Sequence, residues 1–320
     1  MDLLIQTIWE GLVAGVLYAL IALGFVLIFK ASGVFNFAQG IMVVFAALTL
    51  VGTYEKLAAQ GFTGPAAAFT AMAVAIVVMY ALAMVVERFV LRPLVNQPDI
   101  ILFMATFGLT YLLIGAGEVI FGGEPKVMIT KELFLPTGST DLRIPGAGPN
   151  GRDGLVLLQH IDIAAAIIAS VMIAALAFFF QYTRIGRALR AVADSHKAAL
   201  SVGISLNQIW VIVWFTAGIV ALITGIMWGA RSDVSFGLQT IALKALPVLI
   251  LGGFTSVPGA IIGGLIIGIG EKLGELYLAP MLLGSTLGRG VESWLAYFIA
   301  LAFLLFRPQG LFGEKIIERI

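Results

Sequence analysis

The sequence predicts an all-α fold: a polytopic integral-membrane helical bundle with broken or re-entrant helices and about 7–9 membrane crossings. Three observations carry that expectation. Of the 320 residues, 60% are hydrophobic and only 12% are charged, where soluble domains sit near a quarter charged; the mean hydropathy is +1.05. Uncharged runs of about 20 residues, enough to cross the hydrocarbon layer, recur along the chain. One apolar stretch, from Leu243 to Leu265, is cut repeatedly by glycine and proline, as in the interrupted helices of transporter interiors. Residues 1–320 are expected to form one transmembrane domain.

Composition also excludes some chemistry. A net charge of +1 gives no reason to expect nucleic acid as a partner. The absence of cysteine rules out disulfide, iron–sulfur and thiol chemistry. The N-terminus, MDLLIQTIWEG, lacks the basic region of a signal peptide, so its apolar segment is expected to be retained. Thirty-seven glycines suit helices whose backbones approach closely.

Gly11 to Phe29 is the first predicted span, closed by Lys30. Its Gly11/Gly15 pair reads as a surface for tight helix packing. No charge occurs from Ala31 to Tyr54, yet Asn36 and Gln39 lie there. Their amides need partners. Two readings stand: a cavity or gating segment, or an interhelical hydrogen bond or surface cap. Glu55 and Lys56 are expected in a short loop. Leu57 to Val86 is uncharged and supplies a span, with an interfacial lead-in near Pro65. Glu87, Arg88 and Arg92 are expected in the next loop, where Pro93 and Pro98 stop helices. Ile100 to Phe121 is the fourth span, with Glu118 near enough to its end to snorkel.

Gly122 to Asp162 is the one long polar segment, expected to be an outer loop with a hairpin. Ile163 to Thr183 and Gln208 to Ala230 are the fifth and sixth spans, and Arg231 and Asp233 open a polar turn. In the glycine- and proline-broken stretch each half looks short for a full span, with Ala260 to Gly270 completing the second half. Leu276 to Leu287 is expected as an interfacial helix on the outer side, and Val291 to Phe306 as the last span.

Between the fifth and sixth spans lies Arg184 to Ile204. It carries Arg184, Arg187, Arg190 and Lys197 against Asp194 alone. Its apolar spacing predicts a short amphipathic helix, with Gly203 as a cap. It is either a docking surface or a plain connecting loop with cytoplasmic charge bias. The basic loops at Arg88/Arg92, Arg184–Lys197 and Arg307 place the N-terminus outside and the C-terminus inside, which requires an odd number of crossings.

No catalytic constellation is legible. His160 and His196 lie in different loops, and no metal cluster can be built from them. There is no phosphate-binding G-x-x-x-x-G-K-[ST] motif. The spans hold almost no acids or bases, which argues against a proton pump or ion-coupled carrier.

Four blocks carry a resemblance. GLVAGVLYALIALGFVLIFKASGVFNFAQG (Gly11–Gly40), GRALRAVADSHKAALSVGI (Gly186–Ile204), ALKALPVLILGGFTSVPGAIIGGLIIG (Ala242–Gly268) and FRPQGLFG (Phe306–Gly313) resemble signatures of the bacterial permeases of branched-chain amino acid ABC importers, the LivH-like group. They span nearly the whole chain in the family's order. The resemblance implies a non-enzymatic transport subunit of the inner membrane. It would pair with a LivM-like second permease and with two LivG/LivF-like ATPases, which bind ATP and Mg, so this chain itself holds no cofactor. A periplasmic solute-binding protein would deliver the solute, and membrane lipid surrounds the bundle.

The resemblance assigns ATPase coupling to Gly186, Arg187, Arg190, Asp194, Ala198, Gly203 and Ile204. It places Asn36, Gln39, Gly40, Gly252, Gly253, Pro258 and Gly259 in the translocation pathway or gate. The coupling loop departs from the general importer pattern, with Ala193-Asp194-Ser195 where Glu-Ala-Ala is usual. The implied substrates are branched-chain or related amino acids; relatives also serve urea, short amides and aromatic or other carboxylic acids. The rival class is a stand-alone channel or ion-coupled carrier, which would transport without any ATPase.

Overall fold

A computed structural model describes residues 2–94, 97–145, 153–194, 196–278, 280 and 291–313, without the side chains of 99, 193, 194, 196–198 and 291–293. The site residues Asp194 and Ala198 therefore have side chains outside the described set. Twelve α-helices are described: α1 (Asp2–Ser32), α2 (Gln39–Ala59), α3 (Pro65–Val86), α4 (Asp99–Phe121), α5 (His160–Tyr182), α6 (Arg184–Asp194), α7 (His196–Ser201), α8 (Leu206–Ser232), α9 (Leu238–Leu243), α10 (Ala245–Gly252), α11 (Val257–Leu273) and α12 (Val291–Phe306). Two π-helical turns, Glu87–Leu91 and Gly274–Leu278, prolong α3 and α11. The expected hairpin in the long polar loop is present. β1 (Ser139–Ile144) pairs antiparallel with β2 (Gly154–Gln159), Ser139 opposite Gln159.

Among the described residues seven helices are long and apolar enough to cross a membrane, and Leu238–Gly252 and Trp294–Phe306 are shorter apolar helices. The polytopic all-α expectation holds. Several boundaries move. Glu55 and Lys56 are not in a loop but inside α2, because both are good helix formers and nothing breaks the chain before Gly61 at φ 85°. Lys56 instead reaches the Ile120 carbonyl at 3.2 Å and lies over the Phe121 ring. Glu87 and Arg88 lie in the π turn that extends α3, where Glu87 is buried and paired with Arg92 at 3.0 Å. Arg231 belongs to the last turn of α8 rather than to the polar turn. The second half of the broken stretch is no half-span: Val257–Leu278 covers 22 residues. The interfacial helix expected at Leu276–Leu287 falls mostly outside the described residues.

The chain forms two compact units, Met1–Ala22 with Leu135–Ser170 and Lys244–Ile320, and Leu23–Phe134 with Val171–Leu243. In the first unit, α1 and α11 cross at glycines. A Cβ on Gly11 would stand 2.8 Å from Ile269 Cα, and one on Gly15 2.7 Å from the Gly264 carbonyl. The order of these contacts, Gly11 with Ile269 and Gly15 with Gly264, makes the two helices antiparallel. So the Gly11/Gly15 face does what small residues do in membranes, letting backbones meet without side chains between them.

In the second unit, α2 is buried from Gln39 to Gly52 and packs on α3, α4, α8 and α9. Gly225 of α8 meets α2 closely, where a Cβ would be 3.0 Å from Ala47 Cβ. Loop ends are tied by a backbone bridge between Lys126 and Val234 and by the Lys126–Glu55 ion pair. α3, α4 and α5 leave large apolar side chains exposed, among them Val77, Tyr111 and Val171.

The α1–α11 crossing yields a prediction. Gly15→Val forces the helices apart and destabilises the protein by about 2–3 kcal/mol. Gly108→Ala, at a helical glycine with open space around it, holds or raises stability. Thermal melting of the detergent-solubilised protein checks both.

Candidate translocation and coupling site

The first break in the helical chain is the linker from Gly33 to Ala38. α1 ends at Ser32, and Gly33 at φ 68° turns the chain, donating its N–H to the Phe29 carbonyl at 2.8 Å. Asn36 and Gln39, both fully buried, then act on one another and on the backbone. The Asn36 Oδ1 accepts from Ala38 N–H at 3.1 Å, and its Nδ2 donates to Gln39 Oε1 at 3.4 Å. Gln39 Nε2 donates to the Ala217 carbonyl at 3.3 Å, near the middle of α8. Gly24, in the body of α1, leaves the room that Gln39 occupies. The N-terminus of α2 therefore starts deep among the helices rather than at their ends.

Thr106 of α4 supports the linker from outside. Its hydroxyl accepts from Phe37 N–H at 3.1 Å and lies 3.0 Å from the Phe35 and Phe103 carbonyls, to which it donates. Phe35 stacks on Phe25, and Phe37 meets Phe103 and Phe107. Alternation does this: Phe35 and Phe37 point one way into aromatic neighbours while Asn36 points the other way. Of the two sequence readings, hydrogen bonding is the one seen: Gln39 makes an interhelical bond, and Asn36 caps its own linker among buried residues rather than at a surface. Gly40 is less constrained; a Cβ there would meet Ala242 and Gln239 only at ordinary contact distance, 3.6–3.7 Å.

The second break lies in the first unit, between α10 and α11. Gly252 and Gly259 face each other so closely that a Cβ on either would run into the other's carbonyl. Gly253, at φ 103°, makes the turn. Ser256 caps α11, accepting from Gly259 N–H at 3.0 Å, and Pro258 sits in the first turn, where its missing N–H costs nothing. The FRPQGLFG segment closes the break: Leu311 and Phe312 donate N–H to the Leu251 and Gly252 carbonyls at 2.7 and 3.1 Å. Gly310 (φ 78°) leaves room for Gly253 to approach.

The basic island folds as α6 and α7, with Gly203 at φ 82° ending α7 and Ile204 N–H bonding Ala199 at 3.0 Å. Arg187 and Arg190 turn back onto the end of α5. Arg187 donates to the Tyr182 carbonyl at 3.2 Å, and Arg190 to those of Phe180 and Gln181 at 3.0 and 3.3 Å. Cations suit a helix C-terminus. Gly186 packs against the Phe179 and Phe180 carbonyls with no room for a side chain. Leu189, Val192 and Ala199 are buried, while Ile185, Leu200 and Val202 stand exposed.

Sequence reasoning passed over one group. Lys244 and Glu271 are buried and paired at 2.6 Å, with Tyr18 donating to the same carboxylate oxygen at 3.3 Å. The available signal was Lys244 as a lone charge in an apolar run; Glu271, next to Lys272, gave none. Among the described residues, no three of His, Cys, Asp and Glu are grouped to hold a metal ion.

An apolar helical bundle knitted at glycines, with chain breaks stitched by hydrogen bonds, defines a polytopic membrane protein. The chain belongs to the family of permease components of branched-chain amino acid transport systems, whose model matches residues 7–307. It is similar to the high-affinity branched-chain amino acid permease protein LivH of Salmonella typhimurium, 28% identical over 99% of this chain and 97% of the relative. BraD of Pseudomonas aeruginosa is also 28% identical, over 99% and 98%. A probable LivH of Methanocaldococcus jannaschii is 27% identical over 98% and 94%. The chain is thus a non-catalytic, multi-pass transport subunit of an ABC-type importer.

Thr106→Val removes a hydroxyl while keeping the side chain's shape. It leaves the Phe37 N–H without its partner and lowers stability by about 1–3 kcal/mol. Hydrogen exchange at Phe37 should quicken with it.

Proposed function

We propose that this chain is half of the membrane pore of an importer for branched-chain or related amino acids. Its two breaks, at Gly33–Ala38 and Gly252–Ser256, are the segments that change shape as the pore opens alternately to each side. The observation that carries this is the Asn36–Gln39 pair: two fully buried amides, Asn36 on the non-helical linker and Gln39 on the first residue of α2, deep among the helices. Irregular backbone at such depth occurs where it is buried in protein or lines a cavity. Amides switch hydrogen-bond partners without moving charge, which suits a pathway for a zwitterion. The family membership and the LivH and BraD relatives support the substrate class.

The remaining machinery is read from the same surfaces. A LivM-like second permease packs against exposed apolar faces, and lipid covers the rest. Two LivG/LivF-like ATPases bind ATP and Mg and dock at α6–α7, and a periplasmic binding protein supplies and selects the solute. The N-terminus is outside and the C-terminus cytoplasmic. Because Arg187 and Arg190 bond the end of α5, docking falls to the exposed apolar side chains Ile185, Leu200 and Val202. The two arginines act by fixing α6 to α5, so that movement of the docked ATPase pulls on a span.

Two experiments test this. Leu200→Glu with Val202→Glu should release the ATPases from the co-purified complex while the permease keeps its melting temperature; unchanged recovery of the ATPases would defeat the coupling assignment. Asn36→Leu with Gln39→Leu should abolish uptake with the complex still assembled. Wild-type uptake in that variant would remove the linker from the pathway.

A further inference from the structure

Two buried charges of the first unit, Lys244 and Glu271, have no role in the function proposed above. Lys244 Nζ lies 2.6 Å from Glu271 Oε1, with side-chain exposures of 8% and 2%, and the Tyr18 hydroxyl reaches the same oxygen. Lys244 is flanked by Leu243 and Ala245, and Glu271 closes the run IIGIG. Desolvating two charges costs about as much as their attraction returns, so such a pair is weak evidence for stability. Ionisable groups inside a membrane protein mark function by default.

Their place in the fold narrows the role. Pro247 has no N–H to donate to the Leu243 carbonyl, so the helix breaks there, and Lys244 is the residue that caps the start of α10. α10 is eight residues long. Its far end carries Gly252 and Gly253, held against Gly259 and bonded by Leu311 and Phe312. The far end thus meets α11 and the C-terminal segment through close backbone contacts and hydrogen bonds, whereas at the near end an ion pair spans to α11 at a residue 27 positions on in the chain. Helical rise fixes the distance between the two ends, so moving the near end moves the glycine turn.

We propose that Lys244 and Glu271, steadied by Tyr18, are a positioning pair for transport. They set where α10 begins against α11, and through the rigid eight-residue helix they set the Gly252–Gly253 turn during the cycle. The pair touches no solute in this role. The inference rests on the transport reading given above, because the turn matters only if it belongs to the moving pathway.

The test uses the full importer, reconstituted in liposomes with its partner ATPases and binding protein, and reads solute taken up per ATP hydrolysed. Wild type is read first, and uptake there that ignores ATP sinks the importer reading without bearing on the pair. Lys244→Met or Glu271→Leu alone should lose the assembled complex, since each takes from a buried charge its partner at 2.6 Å. The doubles Lys244→Met/Glu271→Leu and Lys244→Gln/Glu271→Gln remove both charges. At least one should assemble and hydrolyse ATP normally, yet take up about tenfold less solute per ATP. Normal uptake per ATP in an assembled double would overturn the proposal. So would failure of both doubles to assemble, which would make the pair a folding requirement instead.

Discussion

Every backbone N–H and C=O in the apolar layer has to find its partner inside the protein, because lipid offers none. Helices meet this requirement by themselves, so the informative places are those where the chain stops being helical. At Gly33–Ala38 the partners come from Asn36 and from Thr106 of a neighbouring helix. At the end of α10 they come from Leu311 and Phe312, some sixty residues on in the sequence. At the start of α10 the break follows from Pro247, and a buried charge pair lies beside it. The breaks are therefore built features, each stitched by particular residues, and they are the points at which a rigid bundle has alternatives to its present shape.

Close glycine contacts supply the complementary property. Gly11 and Gly15 against Gly264 and Ile269, and Gly252 against Gly259, bring backbones together with no intervening side chain. In a membrane, association rests on such packing because apolar side chains gain little by leaving lipid. In the function proposed above, the tight crossings hold helices as blocks and the stitched breaks are where motion is placed. That arrangement fits a pore whose affinity and choice of solute reside in another subunit.

Much of this was legible in the sequence. Uncharged runs gave the long helices, and glycine with proline gave the broken stretch and its turn at Gly252–Gly253. The hairpin in the polar loop was also legible. What failed has physical causes. Glu55 and Lys56 looked like a loop because charge was taken as the end of a span, yet helix propensity carried α2 through them. Arg187 and Arg190 read as basic loop charge, with ATPase coupling implied by the resemblance; that they turn back onto carbonyls five to ten residues earlier is decided by the angle between α5 and α6, which spacing does not fix. Lys244 and Glu271 escaped because a buried pair is a tertiary fact, and Glu271 beside Lys272 reads as an ordinary span end. Asn36 and Gln39 stood out for the opposite reason, since amides in an uncharged stretch signal their own need for partners.

The most direct measurement is solute flux into liposomes holding this permease with its second permease and ATPases, in the presence and absence of ATP and of the binding protein. Uptake of a branched-chain or related amino acid is expected to require ATP and the binding protein together. Flux carried by this chain alone, indifferent to ATP and driven by an ion gradient or by solute concentration, would contradict it.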